Sequence, residues 1–117
     1  MMFQRSFAFE PRAATPELLQ AHLRGTQAQR CAPIKTLPPV LCADGTSLSV
    51  QASDFHGCSP RSLAGPYQTV ELCCFASTFE SDPGLVGEEM LPGVFVYRHV
   101  PLAWIVSLIN AHGGMAS

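Results

Sequence analysis

Charge is scarce in this sequence. Seven Lys and Arg and nine Asp and Glu make 14% of the 117 residues, against about 25% in an ordinary soluble domain. The basic residues (Arg5, Arg12, Arg24, Arg30, Lys35, Arg61, Arg98) are scattered and form no stripe, and the net charge is −2. A direct nucleic-acid partner is therefore not expected. No apolar run approaches the roughly 18 residues of a membrane span, so no membrane partner is expected either. Residues 1–11 carry Arg5 and Glu10 and lack the apolar core of a secretory signal, which makes the cytoplasm the expected compartment. Five cysteines, an odd number without framework spacing, read as reduced thiols rather than disulfides. P-loop, GxGxxG and nucleophile-elbow motifs are all missing, and no cofactor is expected.

What is present is apolar material: 47% of the chain is hydrophobic. At this length one core is affordable without staples, since about two-thirds of the unfolded surface is buried on folding. A thinly charged surface also leaves room for a partner interface.

Residues 1–14 show no sustained period and read as a loose arm in which Phe3, Phe7 and Phe9 are candidates to pack. A single α+β domain is expected over 15–117. Thr15 is a suitable N-cap, Pro16 suits the first helical position, Glu17 complements the helix dipole and Gly25 closes a short helix. Its stripe is Leu18, Leu19 and Leu23. After an irregular connection over 26–39, Val40-Leu41-Cys42 and Thr46–Ser53 flank Ala43-Asp44-Gly45. Asp-Gly between two β-compatible runs predicts a hairpin. Alternation on the outgoing strand puts Leu48, Val50 and Ala52 on one face and Ser47, Ser49, Gln51 and Ser53 on the other.

Residues 54–66 read as a loop, Tyr67–Ala76 as a third strand and Val94–His99 as a fourth. Asp82-Pro83-Gly84 and Leu91-Pro92-Gly93 bracket a loop in which Glu88-Glu89 looks like a solvated charge pair. Pro101 opens a second helix whose stripe is Leu102, Ile105, Val106 and Ile109, broadened by Trp104 and Leu108, and Gly113-Gly114 ends it. The expected architecture is a small antiparallel sheet of three to four strands. The C-terminal helix packs on one face, and the short N-terminal helix lies on that face or at an edge.

The densest polar cluster runs from Asp54 to Arg61. A zinc site is disfavoured because Cys73 and Cys74, adjacent in a strand, point to opposite faces. A Cys58–His56 nucleophile pair would need a third group to orient the base and an oxyanion donor, which neighbouring loop residues rarely arrange, and no local signature surrounds either one, so no catalytic residue is assigned. Arg61 reads first as a solvated or structural arginine, with a surface ion pair to Glu71 or recognition of a carboxylate or phosphate as the alternatives. His112, near a helix C-terminus, is accounted for by the dipole. The polar sheet face is the better candidate, and the binding candidates are Gln51, His56, Arg61, Tyr67 and Glu71.

The run Ala43–Ser53, then His56, Cys58-Ser59-Pro60-Arg61, Gly65-Pro66-Tyr67 and Val70-Glu71, resembles small proteins carried by tailed phages and prophages. The ending Val96-Tyr97, Val100-Pro101 and the helix to His112-Gly113-Gly114 is similar to theirs. The resemblance covers about residues 40–114, and the N-terminal third is unmatched. Cys73-Cys74 and Arg98-His99, where smaller residues are expected, depart from the pattern. The resemblance implies provenance rather than mechanism: an accessory protein in the cytoplasm of a bacterial host, non-enzymatic, binding a host or phage protein, with host-defence components among the targets. Two alternatives remain open. One is a small enzyme or ligand-binding domain using the loop around His56 and Arg61. The other is a structural homo-oligomer or minor virion or assembly factor.

Overall fold

The computed structural model describes residues 11–25, 36–75, 78 and 84–116; Phe3, Phe7 and Phe9 lie outside them. The first helix, α1 (Pro16–Arg24), forms as its end signals dictate. Thr15 Oγ1 accepts the Leu18 N–H at 3.1 Å, and Gly25 ends the helix at φ 62°. A nine-residue helix is marginal alone. Leu19 and Leu23 dock it by full burial, at about 1.5–3 kcal/mol per side chain.

Strands β1 (Val40–Leu41) and β2 (Ser47–Gln51) form the Asp44-Gly45 hairpin. Cys42 N–H donates to Thr46 O, so the loop is three residues long. Gly45 supplies a positive φ of 93°, and Asp44 Oδ1 accepts the Thr46 N–H at 2.9 Å. Strand β3 (Thr69–Phe75) pairs with β2, β5 (Val94–Pro101) pairs with β3, and β4 (Gly87–Leu91) lies outside β5. The sheet is antiparallel throughout, in the order β1-β2-β3-β5-β4.

Five strands rather than three or four is the main departure from expectation. The segment read as a loop carrying a solvated Glu88-Glu89 pair is β4, turned back into β5 at Pro92-Gly93 with Gly93 at φ 81°. Pro then Gly at the two central positions is type II turn chemistry. The strand was hard to see because Gly87-Glu88-Glu89 carries no β-branched or aromatic residue. Tertiary contacts compensate: the Tyr97 ring lies across Gly87, where a Cβ would overlap it.

Helix α2 (Leu102–Ala111) buries Leu102, Ile105, Leu108 and Ile109. These join Leu19 and Leu23 of α1 and the sheet residues Leu48, Val50, Val70, Leu72, Cys74 and Val100 in one core cluster. After α2 the chain turns at Gly113 and Gly114, both at φ 93°, and runs along the outer edge of β1. There Ala43 N–H donates to Gly114 O and Ala116 N–H to Leu41 O, while Arg12 and Met115 exchange both main-chain hydrogen bonds. The dipole account of His112 is incomplete. Its Nδ1 lies 2.7 Å from Asp44 Oδ2 and its Nε2 2.9 Å from the Thr78 carbonyl, which ties the end of α2 to the hairpin turn.

Side-chain amides clasp the main chain at three places. Gln20 takes both the N–H and the C=O of Tyr67, Gln51 those of Leu37, and Asn110 those of Ala14. Each amide supplies one donor and one acceptor, as a neighbouring strand would. Segments with no ladder of their own are thereby held to the sheet and helices.

Candidate functional site

Leaving β2, the chain folds into a compact loop over 53–61. Ser53, fully buried, is its hub: Oγ accepts from the Phe55 and His56 N–H groups and lies 2.7 Å from His56 Nδ1. With two main-chain donors on its oxygen, the hydroxyl is placed to donate toward Nδ1. Phe55 stands against that ring at a centroid distance of 4.1 Å, and half of its surface is open to solvent.

Gly57 joins the loop to the sheet. Its N–H donates to Glu71 Oε1 at 2.9 Å, and its carbonyl accepts the His99 N–H at 2.9 Å. The stem of Arg98 lies so close over Gly57 that a Cβ would sit 2.7 Å from its side-chain carbons. Here the β3–β5 register slips: Val70 faces Val100 while Leu72 faces Tyr97, so Glu71 alone is opposed by both Arg98 and His99. This is a β-bulge, a device that re-aims side chains. Its second residue, His99, holds φ 56°, an uncommon conformation for a side chain other than glycine.

Phe55, His56, Gly57, Arg61, Glu71, Arg98 and His99 line a cleft of about 430 Å³, within the size range of small-molecule sites, about 300–1,000 Å³. Arg98 is tied to Glu88 by a 2.8 Å ion pair. That bond, with the more distant charge of Glu71, raises the Arg98 pKa. Arg61 and Glu71 do not form an ion pair: the Glu71 carboxylate is held by Gly57, and Arg61 makes no charged contact among the described residues.

Three of the five sequence candidates, His56, Arg61 and Glu71, thus share one cleft. The other two stand apart. Gln51 is buried at 4% exposure with its amide committed to Leu37, and Tyr67 is buried with its hydroxyl donating to Ser62 O. The sequence reading placed Gln51 on an open polar face; the chain at Leu37 covers it. Arg98 and His99 were not among the candidates, because a bulge has no sequence signature of its own.

The thiols of Cys58, Cys73 and Cys74 sit in structural surroundings. Cys58 is buried between the carbonyls of Ser53 and Pro60. Cys74 belongs to the core while Cys73 lies on the opposite face, and burial raises the pKa of both. Among the described residues no three His, Cys, Asp or Glu side chains converge as metal ligands.

A second surface lies at the far side of the sheet. Val86, Leu91, Phe75 and Met90 are 87%, 66%, 63% and 53% exposed. Phe75 and Leu91 both face Val94 in register, which makes an apolar row across three strands. Among the described residues no strand pairs with the outer edge of β4, and no helix is long and apolar enough to cross a membrane. The chain matches no protein-family model, no curated protein and no solved structure.

Proposed function

We propose that this chain is a non-enzymatic accessory protein of phage or prophage origin that binds a protein of the phage or its host, host-defence components included. The observation that supports this reading is the asymmetry of the sheet edges. The C-terminal tail hydrogen-bonds along β1, whereas among the described residues no strand pairs with the outer edge of β4, which is flanked by exposed Val86, Met90 and Leu91. An open apolar edge is a liability unless a partner covers it, and strand addition is a common way to cover one.

The occupant we assign is an extended segment of another protein, apolar with a basic residue at its centre, lying beside β4. The acidic pair Glu88-Glu89, of which Glu88 already meets Arg98 and Glu89 does not, favours that partner over a second copy of this chain. In a two-fold pairing centred on them the glutamates would oppose one another, and like charges directly across a ladder are destabilising. The test is capture from the cognate host by the tagged chain, compared with a Met90→Asp/Leu91→Asp variant. Both positions are more than half exposed, so the variant folds. A protein retained by the parent and lost by the variant, with β4 amides newly protected from hydrogen exchange in the complex, supports the reading. Equal capture by both chains, or self-association through β4, sinks it.

A further inference from the structure

The cleft at the β5 bulge is a different surface from the β4 edge, and it presents an unusual charge arrangement. Of its two guanidinium groups, Arg98 is neutralised by Glu88. That leaves Arg61, with no charged contact among the described residues, and Glu71, whose Oε1 accepts one main-chain N–H. Opposite charges line one cleft without meeting. The exposed Phe55 ring adds a flat apolar wall beside them.

We infer that this cleft binds a small zwitterion with a planar apolar tail, the chemistry of a free aromatic α-amino acid. Arg61 takes the carboxylate through its planar donor fork. Glu71 takes the ammonium on the side of its carboxylate turned away from Gly57, and the tail lies against Phe55. Charge balance decides against a polyanion: Arg61 and Arg98 are offset by Glu71 and Glu88, so a phosphate would meet no net positive charge. The bulge contributes geometry. It sets two residues against Glu71, and the left-handed His99 fixes the second of them where the main chain grips Gly57. Strained backbone of this kind concentrates at ligand sites.

The experiment is a titration of the isotope-labelled full chain, followed by amide chemical shifts, with L-phenylalanine, its amide, N-acetyl-phenylalanine, glycine and inorganic phosphate, each to about 10 mM. L-phenylalanine is expected to saturate shifts at Phe55–Arg61, Glu71 and Arg98–His99. The amide lacks the carboxylate and the acetyl form lacks the ammonium, and each should bind about ten- to a hundredfold more weakly. Glycine should be weaker for want of the ring. Arg61→Gln should lose discrimination against the amide, and Glu71→Gln should lose discrimination against the acetyl form. The Gln side-chain carbonyl still accepts the Gly57 N–H, so the second variant keeps the loop in place. No saturating shift with L-phenylalanine overturns the inference, as does equal binding of the blocked forms or tighter binding of phosphate. The β4 variant should leave this titration unchanged, so failure here and failure of the protein-binding reading are told apart.

Discussion

Replacing Gln51 by Met is the sharpest probe of how this fold is held. Met keeps the length and flexibility of the side chain and removes its amide. In the parent, Gln51 Oε1 accepts the Leu37 N–H at 2.7 Å and Nε2 donates to Leu37 O at 2.9 Å, with Leu37 only 2% exposed. The variant leaves a donor and an acceptor of the main chain buried and unmet, at about 1–3 kcal/mol each. The added apolar burial of Met returns about 1 kcal/mol. The net loss is about 1–5 kcal/mol. With a urea slope of about 2 kcal/mol/M this moves the unfolding midpoint down by about 0.5–2.5 M. The Leu37 amide should also lose much of its protection from hydrogen exchange. Gln51→Glu separates the two bonds: it keeps the acceptor, loses the donor and buries a carboxylate. Since burial raises the folded pKa of that group, the Glu variant should be less destabilised near pH 4 than at pH 7. A loss below about 0.5 kcal/mol for Gln51→Met would refute the clasp. So would loss of partner capture with stability intact, which would make Gln51 a contact residue after all.

The His112–Asp44 contact gives a pH window. Asp44 raises the His112 pKa above its ordinary value, so that contribution is complete below about 6.5 and is lost as pH rises through the raised value. Asp44 is lowered to about 2, chiefly by the Thr46 main-chain N–H and side chain and then by His112; its contribution is present above 3.8 and lost as pH falls toward 2. Thermal melts should peak between these limits, and Asp44→Asn should flatten both shoulders. Gly114→Ala should destabilise by about 1–2 kcal/mol or more, because φ is 93° and the new Cβ runs into the Arg12 carbonyl; unchanged urea unfolding would contradict this. Thr15→Ala should cost about 1 kcal/mol through the lost cap on α1, read by the same unfolding curve, whereas Thr15→Ser should be close to neutral.

How much was legible depended on whether the signal was local. The caps of α1, the Asp44-Gly45 hairpin and the stripe of α2 are written in neighbouring residues, and each forms where those residues place it. Strand β4 escaped because Glu-rich edge positions carry no apolar alternation, and its formation depends on β5 and the Tyr97 ring. The cleft was half visible. His56 and Arg61 share one loop, while Arg98 and His99 reach it through a register slip that no sequence period announces.

By itself the sequence determined the class of the molecule. Scarce charge, apolar alternation and punctuating glycine and proline specify an α+β chain with an antiparallel sheet, because these act over a few residues through sterics and the burial of one face. Only tertiary structure decided which polar groups are engaged. Gln51 and Tyr67 are closed off because Leu37 and Gln20 come to them from 14 and 47 residues away, with Ser62 taking the Tyr67 hydroxyl locally. Glu71 accepts the Gly57 N–H, a partner no local pattern in the sequence announces. The tertiary structure also lays the C-terminal tail along one sheet edge, while among the described residues no strand pairs with the other. A side chain's partner is set by proximity in space, and proximity between residues far apart in sequence exists only once the core has closed.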